Sequence, residues 1–209
     1  MDKNKIIMFV LSPTYFYADF RKKKIEGDAV KSEVTDLIKK YNKRYLAISI
    51  LLAIGLGSTY QWNEYPKDYL AMYIPMVTLL IWIFPLSRNN EIFYAFVKDA
   101  LDKVSHKEAD SDLQFSDRIR LALNSYLELV VNFGIIFYLL PCEWFNNQFQ
   151  SISDSLYFSG VTITTLGYGD FSPMHFIPQF FVVYEVFCGF ILLIVSFAIY
   201  AGRGLNQKN

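Results

Sequence analysis

The chain is poor in residues that do chemistry. Its 209 residues include two cysteines and two histidines. Cys142 and Cys188 form neither a metal-ligand spacing nor a disulfide framework. His106 and His175 stand far apart. No nucleophile motif, phosphate-cradling loop or metal-binding repeat is present, so an enzyme activity or a cofactor has nothing to rest on. Net charge is lacking as well. Twenty Lys and Arg balance twenty Asp and Glu, which gives no drive toward nucleic acid. The chain is 53% hydrophobic and 18% aromatic, and the apolar residues come in blocks. Blocks point to a membrane protein rather than one soluble core.

Residues 1–44 read as a cytoplasmic or membrane-surface segment. Ile6 to Leu11 is short for a signal peptide, and no small-residue cleavage site follows. Pro13, Tyr15, Phe16 and Tyr17 suit a membrane surface. Arg21-Lys22-Lys23-Lys24 is a basic cluster, either drawn to anionic lipid heads or an ordinary solvated flank. Val30, Val34, Leu37, Ile38, Tyr41 and Tyr45 recur every three or four residues, which marks one helical face.

Residues 45–87 read as a two-helix transmembrane region. Tyr45 to Trp62 carries no charge and would span roughly 27 Å as a helix, close to a bilayer core. Ser49, Ala53 and Gly57 form a row of small residues that lets another helix approach. Tyr60, Trp62 and Tyr65 suit an interfacial belt. The second block, Tyr69 to Ser87, contains Pro75 and Pro85, which can kink a membrane helix. Neither block carries arginines at every third position, which argues against voltage gating by a charge ladder.

Residues 88–116 return to polar composition and read as a cytoplasmic amphipathic linker. Ile92, Phe93, Phe96, Val97, Ala100, Leu101 and Val104 form a stripe suited to packing on protein or lying in the membrane surface. Ser116 is the expected N-cap of the next helix, with Asp117 in its first turn. That helix, about Ile119 to Leu140, is a third crossing. Asn124, Glu128 and Asn132 lie on one face, which must meet protein, water or head groups. Pro141 ends it. A fourth crossing runs from about Phe176 to Gly202.

Between these two crossings lie an aromatic and polar rim, 142–152, and a helix over roughly 153–164, capped by Ser151 or Ser153. This helix is too short to cross. It enters part-way and returns, which is tolerated only where backbone is buried in protein or lines water. Its C-terminal end carries partial negative charge and favours a cation. The stretch Thr162-Ile163-Thr164-Thr165-Leu166-Gly167-Tyr168-Gly169-Asp170 follows. Gly167 and Gly169 can take positive φ, so successive carbonyl oxygens can point one way and replace a cation's water shell.

This stretch resembles the selectivity filter of the potassium-channel family, Thr-Val-Gly-Tyr-Gly, with Leu166 in place of the valine. The resemblance covers roughly 117–204, so 117–209 reads as a potassium-channel pore domain. It implies an all-α membrane protein with four transmembrane helices, a re-entrant pore helix and a filter. Thr165, Leu166, Gly167 and Tyr168 then supply potassium-coordinating oxygens, with Gly169 in line and the Thr165 hydroxyl contributing. Thr164, Asp170, Tyr157 and Glu185 are expected to support the filter; in the family, pore-helix aromatics hydrogen-bond this aspartate. Gly189, twenty residues after Gly169, stands where the inner helix usually has a hinge glycine. Close helix packing is the alternative role. Val161 replaces a glutamate found in some relatives, so filter control through that carboxylate should be absent.

Ile194, Phe197 and Ala201 can share the pore-facing side of the last helix and form an apolar constriction. One pore loop per chain implies a homotetramer. With a cytoplasmic N-terminus and four crossings, 19 of the 20 Lys and Arg lie inside, and the loop from Pro141 to His175 has none. The expected protein sits in the cell membrane with both termini cytoplasmic and the filter facing outside. No sizeable domain is expected after the pore, so regulation by an unidentified ligand or partner would enter from the N-terminal side. The leading function is passive, selective potassium conduction. The alternatives are a non-selective cation channel and a non-conducting regulatory subunit.

Overall fold

The computed structural model describes residues 8–25, 30–59, 74–105, 107 and 111–206. Side chains of 59, 74–80, 103, 104 and 195–206 are outside the description. The regular elements are helical: α1 (Pro13–Lys22), α2 (Val30–Thr59), α3 (Ile74–Val104), α4 (Phe115–Leu139), a 3-10 turn (Cys142–Trp144), α5 (Ile152–Ile163) and α6 (Phe176–Asn206). Among the described residues, two helical stretches are long and apolar enough to cross a membrane, Phe115–Leu139 and Phe176–Ile194. The expected belt residues Tyr60, Trp62 and Tyr65 lie outside the described residues.

The chain divides into two compact units. One gathers residues 1–46, 87–127 and 188–209. Here α1 starts at Ser12, whose hydroxyl accepts from the Tyr15 N–H at 3.2 Å, with Pro13 in the first turn. Ser12 also donates to the Ser87 carbonyl at 2.8 Å, and the Thr14 N–H donates to the Ser87 hydroxyl at 3.0 Å. Asn42 on α2 is buried. It donates to the Ser125 hydroxyl at 3.1 Å and accepts from Asn124 at 2.9 Å. Lys39 pairs with Asp117 at 2.8 Å, and Arg118 with Asp99 at 3.2 Å. Arg88 is only 4% exposed; it pairs with Glu91 at 2.7 Å and lies over the Tyr45 ring at 4.1 Å. The basic group is thereby compensated on both sides.

The sequence-derived boundaries at 44/45 and 87/88 fall inside α2 and α3. Pro85 sits within α3 at the cost of one helical hydrogen bond. The polar run that follows it packs against protein at its start, where Ser87, Arg88 and Asn89 are buried. Ser116 is not the N-cap expected of it. The helix already begins at Phe115, and the Asp117 carboxylate accepts from the Gln114 N–H at 3.2 Å.

The second unit gathers 47–86 and 128–187. Its centre is α4, where Leu129, Phe133, Ile135, Ile136 and Phe137 are fully buried. Gly134 lets α5 approach: a Cβ there would meet the Leu156 Cα at 3.1 Å. The small-residue row on α2 works similarly. Ser49 and Ala53 are buried, and a Cβ at Gly57 would come within 2.9 Å of Ile152. Phe137, Phe145, Phe149, Phe158 and Phe171 form a continuous aromatic cluster, with ring centroids as close as 4.8 Å.

Candidate functional site: the pore loop

The loop begins where α5 stops. Asp154 caps the start of α5 by accepting from the Gln150 and Ser151 N–H groups at 2.7 and 3.0 Å, so Ser151 and not Ser153 is the N-cap. At the other end, Thr164 turns its hydroxyl back onto the Gly160 carbonyl at 2.7 Å. The Thr165 N–H donates to the Thr162 carbonyl at 2.9 Å, and the Leu166 N–H to the Val161 carbonyl at 3.0 Å. The helix end is thus wound tightly into the loop.

Backbone handedness then alternates. Thr165 has φ 60°, Gly167 56° and Gly169 82°, while Leu166 and Tyr168 between them are not in the positive region. A left-handed residue at every second position turns each peptide so that carbonyls otherwise on opposite sides share one side. A Cβ at Gly167 or Gly169 would meet nothing within 4 Å, so glycine is required there by dihedral and not by space. Thr165 is the one described non-glycine residue with positive φ, a costly conformation held by its surroundings. Residues 164–170 are all exposed in the single chain.

The exit of the loop is tied to the rim. Asn147 and Asn146 donate to the Asp170 carbonyl at 2.6 and 3.4 Å. Asn146 also accepts from the Ser172 N–H at 2.6 Å, and its own N–H donates to the Ser172 carbonyl at 3.0 Å. The Met174 N–H donates to the Trp144 carbonyl at 2.7 Å, and the Trp144 ring stacks on His175 at 4.1 Å. Sequence reasoning saw only an aromatic and polar rim here. The Asn146-Asn147 pair was the available signal, because asparagine side chains satisfy turn backbone.

Residues 125–204 match a family model described as "Ion channel". This segment is similar to the ion-channel family. Two-pore potassium channel 2 of Arabidopsis thaliana is 32% identical over 94 residues, which is 44% of this chain and 21% of that protein. Open rectifier potassium channel protein 1 of Drosophila melanogaster is 35% identical over 91 residues, 36% of this chain and 9% of that protein. The chain spans about a fifth of the first relative's length and under a tenth of the second's. No solved structure matches. The potassium-channel resemblance and the all-α fold read from the sequence are both upheld.

Within the ion-channel segment, the expected supporting residues fall as follows. The Tyr157 side chain on α5 lies close to the Asp170 side chain. Glu185 on α6 is fully buried and hydrogen-bonds the Ser159 hydroxyl on α5, which also lies 2.8 Å from the Val130 carbonyl on α4. The second Glu185 oxygen is buried without a hydrogen-bond partner among the described residues. Ser159 was not singled out from the sequence; a serine within an apolar helix was its only signal. Glu128 and Asn132 are both buried, so that part of the polar stripe faces protein. Gly189 is buried and helical, and Ile194 is half exposed. Phe197 and Ala201 have helical backbone, and their side chains lie outside the described residues.

Proposed function

We propose that the chain is a potassium-selective channel that conducts passively through a homotetrameric pore in the cell membrane. The observation that carries this reading is positive φ at Thr165, Gly167 and Gly169 alone along the exposed loop. Carbonyls of Thr165, Leu166, Gly167 and Tyr168 then form one row of potassium ligands, with the Thr165 hydroxyl at its inner end. One row cannot enclose a dehydrated ion, so several copies must surround it, and the resemblance sets the number at four. Exposed apolar residues Leu166, Tyr168, Phe176, Phe180, Val183 and Phe187 supply a face for neighbouring copies. The α5 C-terminus adds partial negative charge.

The distribution of Lys and Arg supports cytoplasmic termini and an outward-facing filter. Gly189 is the proposed hinge of α6, and Ile194, Phe197 and Ala201 the proposed constriction. The test is bi-ionic recording from the full chain in liposomes or planar bilayers. A reversal potential that follows the potassium gradient is expected. Equal sodium and potassium permeability would overturn selectivity, and absence of flux would overturn conduction.

A further inference from the structure

Three helices of the second unit meet at one hydroxyl. Ser159 on α5 lies 2.8 Å from the Val130 carbonyl on α4 and hydrogen-bonds Glu185 on α6. Ser159 and Glu185 are both fully buried within the single chain. A hydroxyl has one hydrogen, and a carbonyl can only accept. When that hydrogen goes to Val130, Ser159 can only accept from Glu185. Both contacts are then hydrogen bonds, provided Glu185 carries a hydrogen of its own. An ionised Glu185 is acceptor-only and leaves one of the two contacts without a hydrogen.

The surroundings agree with the hydrogen count. No Lys or Arg occurs between Arg120 and Arg203. Of α2 and α3, the described parts in this unit, 47–59 and 74–86, carry no titratable side chain. α4 carries Glu128 and Tyr138, α5 carries Asp154 and Tyr157, and Tyr184 and Cys188 flank Glu185 on α6. Among the described residues, none of these hydrogen-bonds or ion-pairs with Glu185. Its second oxygen is buried without a hydrogen-bond partner. A carboxylate here would be a buried charge held by one hydroxyl, and a group so placed takes up a proton instead.

We propose that Glu185 is a proton-binding site, a neutral acid that donates to Ser159 while Ser159 donates to Val130. The proton then ties α5 to both α4 and α6, and Ser159 stands six residues before Thr165 of the pore loop. When hydroxide takes the proton, a carboxylate and water result. Ser159 turns its hydrogen from Val130 to that carboxylate, and the link from α5 to α4 is lost. Alkaline pH therefore loosens the helix that leads into the loop. The effect on flux rests on the chain conducting potassium; the position of the proton does not.

The test is infrared spectroscopy of the full chain in liposomes, with isotopically labelled glutamate carboxyl carbons. Near neutral pH, a protonated-carboxyl band is expected that is absent from Glu185→Gln and displaced in Ser159→Ala. If Glu185→Gln does not assemble, the displacement in Ser159→Ala assigns the band instead. On alkalinisation the band should fade and potassium flux should fall at least about tenfold, with both restored on return to neutral pH. Glu185→Gln, whose amide donates to Ser159 at either pH, should hold its flux within about twofold across the same change. A spectrum with no protonated-carboxyl band that responds to either substitution would overturn the proposal. Wild-type flux that stays constant while the band fades would overturn the switch. A band that behaves as expected in a chain without flux at any pH would uphold the proton site and overturn potassium conduction.

Discussion

Ser159 and Glu185 hydrogen-bond across the buried contact between α5 and α6. The same hydroxyl lies beside the Val130 carbonyl, so one serine links three helices. A hydroxyl has one proton to donate and two lone pairs to accept with, which allows it to serve both neighbours in turn. Glu185→Gln keeps a group that can donate or accept toward Ser159 and should preserve potassium currents. Glu185→Ala leaves Ser159 half satisfied and opens a void. It should cost about 1–3 kcal/mol of stability, read as a lower melting temperature of the purified channel. Equal behaviour of the two variants would remove the hydrogen bond from the explanation.

The Tyr157 and Asp170 side chains lie close together at the far end of the loop, and a hydroxyl–carboxylate bond between them is the expected brace. Tyr157→Phe removes that bond and keeps the ring, which packs near Phe171 with centroids 6.4 Å apart. Faster decay of potassium current during sustained opening is expected. Asp170→Asn should act in the same direction. If the bond is the cause, the double variant decays little faster than either single one. Fully additive effects would separate the two residues.

Gly134 sets how closely α5 lies on α4. A Cβ there would come within 2.6 Å of the Leu156 side chain and 3.1 Å of its backbone Cα. The side chain can rotate away, whereas the backbone cannot. Gly134→Ala should therefore destabilise by about 1–3 kcal/mol, despite the higher helix propensity of alanine. Thermal unfolding followed by fluorescence measures this. Gly55, where nothing lies within 4 Å, is the matched control, and Gly55→Ala should be neutral or stabilising.

Asn42 joins α2 to α4 through Ser125 and Asn124. Asn42→Ala leaves two polar groups without that partner and should cost about 1–3 kcal/mol. Asn42→Leu should fare no better, since it fills the space without restoring a hydrogen bond. The melting temperature of the purified full chain gives the answer.

Much of the candidate site was legible in the sequence because backbone conformation there is set locally. Gly167 and Gly169 announce positive φ by lacking a Cβ, and both adopt it. The limits of α5 were legible within a residue, because Ser151 and Asp154 cap it and the polar threonines end it. Thr165 was not legible in the same way. A threonine avoids φ 60° by its own preference, and the turn built on Thr162 and Val161 holds it there.

Helix continuity and the fate of polar residues were decided by tertiary structure. Local composition changes at 44/45 and 87/88, yet α2 and α3 run through both positions. Arg88, Asn42, Glu128 and Glu185 look like surface or head-group residues by type. Each is buried because a partner from elsewhere in the fold or enclosing helices take it from solvent. The sequence by itself determined a helical membrane chain with a glycine-alternating loop, since periodicity, apolar length and missing Cβ atoms act within a few residues. Only the tertiary structure decided which polar groups meet, because a hydrogen bond between residues 83 positions apart, as from Asn42 to Ser125, has no local signature.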